Sequence, residues 1–316
     1  MAKNLEFNKP WIEQRADPYV YRHTDGKYYF TASVPAYDRI ILRCSDSLAG
    51  LAEAEEHTIW TAHKFGPMSK HIWAPELHFI FGKWYIYFAG GEVFDQWKIR
   101  PYVLECQGMD PIRDPWVEKG KMQCAEEDEF SFRAFSLDAT VFESKGQHYC
   151  IWAEKVGVGK QISNLYIARM ENGYTLNTVQ VLLTTPDYDW ERYGFWVNEG
   201  PSVLKRNGKI FLTYSASDTG IHYCMGMLTA DEDSDLLDPL SWKKERYPVL
   251  YTNAKYGIYG PGHNSFTQDE NGNDILVFHA RIESEILGDP LYNPNRHAML
   301  QKINWKDGIP VFSFDN

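Results

Sequence analysis

Five times along this chain a β-branched or aromatic run meets a glycine-centred turn and returns as a second apolar run. Asp17-Pro18-Tyr19-Val20-Tyr21 leads through Gly26 to Tyr28-Tyr29-Phe30. Ala74-Pro75-Glu76-Leu77-His78-Phe79 leads through Gly82 to Trp84-Tyr85-Ile86. Asp138-Ala139-Thr140-Val141 leads through Gly146 to Tyr149-Cys150-Ile151. Glu199-Gly200-Pro201-Ser202-Val203 leads through Gly208 to Ile210-Phe211-Leu212. His263-Asn264-Ser265-Phe266 leads through Gly272 to Ile275-Leu276-Val277. Each unit reads as a β-hairpin. The heads at 17, 74, 138, 199 and 263 are spaced by 57, 64, 61 and 64 residues. A long, nearly fixed period with several strands per unit predicts an all-β chain folded as a β-propeller. The 16 residues before Asp17 and the 53 after His263 together make about one period. The two ends therefore complete a shared blade, and the ring closes with five. The even repeat predicts a single five-bladed domain over residues 1–316.

In a propeller the first strand of each blade lines the central channel, so the five heads converge at one mouth. Three heads are acidic: Asp17, Asp138 and Glu199. Ala74, with Glu76 two residues on, and His263 complete the set. Three carboxylates from distant segments suit hydrolysis of a glycosidic bond. That reaction needs a proton donor and a proton acceptor on opposite faces of a sugar. A neighbouring carboxylate raises the donor's pKa by like-charge repulsion, and a third, further away and better solvated, stays ionised and activates water.

Composition narrows the partners. The aromatic content of 15%, with 11 Trp and 20 Tyr, suits bulky strands and a site that stacks on sugar rings. The net charge of −11 argues against nucleic acid and against anionic membranes. The five cysteines are odd in number and include no Cys-x-x-Cys pair, so they make neither a disulfide framework nor a zinc site. Residues 1–13 carry no apolar run, and no span is long enough for a transmembrane helix. The expectation is a cytoplasmic, reduced protein. Gly157-Val158-Gly159-Lys160 lacks the spacing of a phosphate loop, and Gly260-Pro261-Gly262 is turn chemistry. Glu126-Glu127-Asp128-Glu129 reads as a solvated charge run inside a long polar connection, 107–136. Long segments at 61–73 and 184–198 suit binding loops.

The motifs Ala16-Asp17-Pro18-Tyr19-Val20, His71-Ile72-Trp73-Ala74-Pro75-Glu76, Leu137-Asp138-Ala139, Asn198-Glu199-Gly200-Pro201 and Gly262-His263-Asn264 together resemble glycoside hydrolase family 43. The resemblance covers essentially the whole chain, in the expected order. It implies a five-bladed propeller with Asp17 as general base, Glu199 as general acid and Asp138 as the carboxylate that tunes and orients the acid. It implies arabinose- and xylose-containing glycans as substrates. Trp73-Ala74-Pro75-Glu76-Leu77-His78 looks most like the exo-acting α-L-arabinofuranosidase branch. One departure stands out: Ala139 follows Asp138 where many members carry proline. The resemblance also implies a histidine near the channel axis, here His263, beside a structural calcium. One histidine cannot make such a site alone, so water would complete it. The chemistry itself calls for no cofactor.

Substrate-binding candidates are Ala74, Glu76 and His263 at the heads, Phe30, Trp73, Tyr193 and Trp196 near heads in sequence, and Arg296, able to bind a hydroxyl or to pair with an acidic head. The leading expectation is an inverting exo-glycosidase that releases terminal α-L-arabinofuranosyl units from pentose-containing oligosaccharides. β-Xylosidase activity is the alternative within the class. A non-catalytic carbohydrate-binding propeller is the alternative outside it, which would not need all three carboxylates. No oligomeric state follows from the sequence.

Overall fold

The computed structural model of the chain describes residues 5–157 and 161–314. Residues 158–160, most of the Gly157–Lys160 motif, lie outside that range. Five antiparallel blades follow one another. Their innermost strands are Ala16–Arg22, Lys70–Ile80, Ser136–Ser144, Trp196–Arg206 and Tyr259–Gln268. Each turns back into a second strand: Tyr28–Ser33, Lys83–Glu92, Gln147–Val156, Lys209–Ala216 and Asp274–Arg281. Three of these hairpins close on two-residue turns, Phe81-Gly82, Lys145-Gly146 and Asn207-Gly208, with positive φ at both positions. That turn matches the right-handed twist of the paired strands.

Neighbouring innermost strands touch in a closed cycle, the last against the first. The chain ends seal the ring. Pro10–Ile12 pairs antiparallel with His297–Lys302 and becomes the outermost strand of the fifth blade. The shared blade expected from the leftover residues is the one observed.

The second strands explain why the blades stack. Successive side chains on a strand point to opposite faces. Tyr28 and Phe30 pack toward the fifth blade with Ile275 and Val277, whereas Tyr29 packs toward the second with Trp84 and Ile86. Tyr85 and Tyr87 then face Cys150 and Trp152 of the third blade. Ile151 and Ala153 face Ile210 and Leu212 of the fourth. Phe211 faces Leu276 and Phe278 of the fifth. Five apolar clusters fill five interfaces, so both faces of each second strand are buried and the run reads as continuously apolar.

Two expectations change. The polar connection 107–136 contains an outer strand, Trp116–Lys121, paired with Asp95–Cys106. Half-exposed outer strands carry few apolar residues, which hid it. Within the acidic run Asp128 is 2% exposed. It accepts hydrogen bonds from the backbone N–H groups of Phe130, Ser131 and Gln180 and from the Ser131 hydroxyl, so it pins the loop. Among the described residues no helix is long and apolar enough to cross a membrane.

Ile12 is the buried residue of the sealing strand. Ile12→Ala should lower the unfolding free energy by about 2–5 kcal/mol in a urea titration. A change under about 0.5 kcal/mol would show that ring closure does not depend on this strand's packing.

Candidate active site

The innermost strands share one irregularity. Between Ala16 and Tyr19, Trp73 and Glu76, Leu137 and Thr140, Glu199 and Ser202, and Gly262 and Ser265, the inner strand holds one more residue than its partner. These are β-bulges, and bulges re-aim side chains. The residue entering each bulge is left-handed: Asp17 (φ 53°), Ala74 (46°), Asp138 (54°), Gly200 (54°) and His263 (44°). Pro18, Pro75 and Pro201 follow three of them, where the ladder requires no N–H. Ala139 and Asn264 occupy the same place without altering the bulge. The missing proline after Asp138 is therefore of no geometric consequence.

The repeat corrects one sequence expectation. The acidic heads were read as equivalent, but Glu199 precedes its bulge and is equivalent to Ala16, Trp73, Leu137 and Gly262. Gly200 holds the left-handed position. A Cβ there would lie 3.2 Å from the His263 ring, so glycine meets both the conformation and the close approach.

The bulged N–H groups, freed from the ladder, tie blades together. Asp17 N–H donates to His279 Nδ1 of the fifth blade at 3.0 Å, and Ala74 N–H to Ser33 Oγ of the first at 2.8 Å. Gly200 N–H donates to Asp138 Oδ2 of the third at 3.0 Å, and His263 N–H to Ser215 Oγ of the fourth at 2.7 Å. In each case the acceptor belongs to the preceding blade.

Charges divide within this ring. Burial alone would raise the pKa of Asp17. The His263 and Arg296 cations, with Oδ1 3.3 Å from His263 Nδ1 and 3.6 Å from Arg296 Nη1, outweigh it and hold the carboxyl far below its usual range. Ser33 Oγ–H adds a bond to Oδ2 at 2.5 Å. His279, accepting from the Asp17 N–H, stays neutral, because burial pushes its pKa down to about 3. Glu199 is raised by burial, against the pull of His263 and of the Tyr223 hydroxyl bond to Oε1 at 2.8 Å. Burial and the charges of Glu199 and Asp17 raise Asp138 to about 7, against the pull of His263. The three carboxylates in turn raise His263 despite its burial.

Above these groups opens a cavity of about 700 Å³. Asp17, Asp138, Glu199, His263, Trp73, Ala74, Trp196 and Arg296 line it. Three candidates do not. Phe30 is fully buried between the fifth and first blades. Glu76 lies two residues further along its strand and bonds His78 at 2.8 Å. Tyr193 is 55% exposed and packs on His222. Of the two expected loops, 184–198 supplies Phe195, Trp196 and Val197, while 61–73 supplies only Trp73. The other wall, Asp289-Pro290-Leu291, was not foreseen. Arg296 donates to the Tyr37 hydroxyl, which donates to the Leu291 carbonyl, and Arg281 holds Asn293 and the Pro290 carbonyl. Tyr223, Ser33 and Lys155 were missed as well. Ser33 and Lys155 sit on second strands and Tyr223 just before the strand Cys224–Asp231, where no motif marks them.

Among the described residues no group of three or more His, Cys, Asp or Glu is arranged to hold a metal. His263 directs Nδ1 to the carboxylates, so its donor set gives a channel calcium one nitrogen at most, with water as the remainder.

The family described as Glycosyl hydrolases family 43 matches residues 7–310. An extracellular exo-α-(1→5)-L-arabinofuranosidase of Streptomyces avermitilis is 49% identical over 98% of this chain and 64% of its own length. One of the same description from Streptomyces chartreusis is 52% identical over 90% of this chain and 85% of its own length. A crystal structure of an α-L-arabinofuranosidase from Lactobacillus brevis, 52% identical, superposes with a TM-score of 0.90 over 96% of this chain and 95% of that one. The chain thus spans just under two thirds of the Streptomyces avermitilis relative. The names of both Streptomyces relatives overturn the cytoplasmic expectation, because both are extracellular. The five free cysteines do not oppose that correction. Cys106, Cys150 and Cys224 are buried, and burial raises their thiol pKa values, to about 12 for Cys224, which leaves them unreactive.

Between pH 3.8 and about 7 the folded state keeps a proton at Asp138 that an unfolded chain has released. Stability from this group therefore falls as pH rises through that window. Asp138→Asn keeps an acceptor for the Gly200 N–H but abolishes the charge. Its melting temperature should exceed that of the native protein by more at pH 8 than at pH 4. An equal difference at both would show that Asp138 is not the strained carboxyl.

Proposed function

The chain belongs to glycoside hydrolase family 43, and on that premise we propose that it is an inverting, exo-acting α-L-arabinofuranosidase. The observation that carries the proposal is the unlike surroundings of buried carboxyls in one cavity: Asp17 lies 3.3 Å from His263 Nδ1 and 3.6 Å from Arg296 Nη1, while Glu199 accepts from the Tyr223 hydroxyl. Asp17 is held ionised by His263 and Arg296, while Glu199 is pushed toward its acid form by burial. A non-catalytic sugar site gains nothing from that division.

Glu199 donates its proton to the departing glycosidic oxygen, and the Tyr223 hydroxyl fixes the carboxyl's orientation. Asp17 deprotonates a water that attacks the anomeric carbon from the opposite face. The two residues sit on the fourth and first blades, which are not neighbours in the ring. Inverting pairs stand roughly 6.5–9.5 Å apart, leaving room for that water. Asp138 acts through Glu199. Its Oδ2 accepts the N–H of Gly200, the residue after Glu199, and so fixes the backbone that carries the acid. His263 balances the carboxylates, and the chemistry runs without a cofactor.

Arabinose is favoured over xylose by the arabinofuranosidase names of relatives near 50% identity. Exo action is supported by the walls Phe195–Val197 and Asp289–Leu291, which enclose a space suited to a terminal sugar. The proposed partner is a neutral pentose-containing oligosaccharide.

The test is side-by-side assay of nitrophenyl α-L-arabinofuranoside and nitrophenyl β-D-xyloside, followed by arabino-oligosaccharides. The arabinoside should be cleaved and oligosaccharides shortened by single sugars; early dimers or a preference for the xyloside would overturn the reading. Proton NMR in the first minutes should show the inverted anomer, and first release of the retained one would exclude Asp17 as a base. Glu199→Gln should reduce kcat on arabinobiose by about 10²–10⁴, and less on a nitrophenyl leaving group, which needs little protonation. Equal losses on both substrates would count against Glu199 as the acid.

A further inference from the structure

A fully buried carboxylate, Glu191, stands outside the cavity, in the 184–198 segment. Its Oε1 accepts the Tyr214 hydroxyl at 2.8 Å and Asn198 Nδ2 at 3.0 Å. Its Oε2 accepts the N–H groups of Asp187 and Tyr188 at 2.7 and 2.8 Å, and Lys244 Nζ at 2.9 Å. We propose that Glu191, acting through Asn198, is a positioning residue for the general acid. The proposal rests on the reading of Glu199 as that acid.

Asn198 immediately precedes Glu199 on the innermost strand Trp196–Arg206. Adjacent side chains on a strand point to opposite faces. Glu199 therefore enters the cavity while Asn198 turns into the protein, where it is 0% exposed. Both ends of its amide are engaged there, Nδ2 with Glu191 and Oδ1 with the Thr184 hydroxyl at 3.2 Å. On the other side of Glu199, the Gly200 N–H is held by Asp138. The acid thus stands between two residues, each fixed by a carboxylate from another part of the chain. With the backbone held on both sides, the Tyr223 hydroxyl has only side-chain torsions left to set.

A fully buried carboxylate is destabilising unless it is paired and hydrogen-bonded. An apolar side chain could fill the same volume, so filling is not what the charge adds. It adds a junction of four segments. The bonds of Glu191 join its own loop, the second strand through Tyr214, the outermost strand through Lys244 and the innermost strand through Asn198. Lys244 Nζ also donates to the Thr185 carbonyl at 2.7 Å, so the segment is anchored at its start as well as its end. Protonation of a departing oxygen requires hydrogen-bond reach, and a misplacement of about 1 Å can lower a rate by about 10²-fold.

The test compares two leaving groups. Asn198→Ala cuts the link between Glu191 and the strand. Glu191→Gln sets an amide NH₂ against Lys244 and two backbone N–H groups. Each should lower kcat on arabinobiose by about 10²-fold, and kcat on nitrophenyl α-L-arabinofuranoside, which needs little protonation, by about 10-fold or less. Tyr214→Phe keeps the ring and removes one hydrogen bond to Glu191. It should show the same imbalance at about 3-fold, and it carries the test if the other two variants do not fold. Equal losses on both substrates, or no loss, overturn the proposal, because a residue that only supports the fold weakens both alike. Glu199→Gln is the reference. If it too loses equally on both substrates, the acid assignment has failed and the proposal with it.

Discussion

The bulge in each innermost strand is the constraint on which the site depends. An unbroken innermost strand, paired on one side only, would bond alternate N–H groups within its own blade and turn alternate side chains toward the neighbouring blades. One extra residue frees an N–H and rotates the side chain toward the channel mouth. In four blades the freed N–H finds an acceptor on the preceding blade: His279, Ser33, Asp138 and Ser215. The same hydrogen bonds that aim the functional groups therefore close the ring. Left-handed backbone at Asp17, Ala74, Asp138 and His263 costs of order 1–3 kcal/mol per residue, and the closed ring over-determines it.

Charge balance is the second constraint. Three buried carboxyls in one cavity would repel strongly without compensation. His263 sits among all three, and Arg296 serves Asp17 alone. That asymmetry lowers one carboxyl and leaves the other two raised. The roles proposed for Asp17 and Glu199 rest on which blade receives the arginine. Arg296 also reaches Tyr37 and, through it, Leu291, so the residue that lowers Asp17 also fixes one wall of the cavity.

Two further buried carboxylates shape a loop. Asp128 and Glu154 hold the 128–135 segment rigidly beside Glu199's side of the cavity. Their burial would be costly without the backbone N–H groups they accept, and those bonds fix the loop's shape.

What the amino-acid sequence determined alone was periodic. The five hairpins, the shared blade and the identity of Asp17, Asp138, Glu199 and His263 follow from runs that repeat at nearly constant spacing. Period-2 burial and glycine turns are local, so they are written in adjacent residues. The one-residue offset of Glu199 was not legible, because a bulge is a relation between two paired strands and has no length in one of them. Phe30 and Glu76 were misjudged for a related reason: nearness to a head in sequence does not fix which face a side chain takes. Tyr223, His279 and Ser33 lie far from the motifs in the chain and reach the site only when blades stack. The division of three similar carboxyls into one lowered and two raised belongs wholly to the tertiary structure. It depends on distances of 3–4 Å to His263 and Arg296, which ring closure sets.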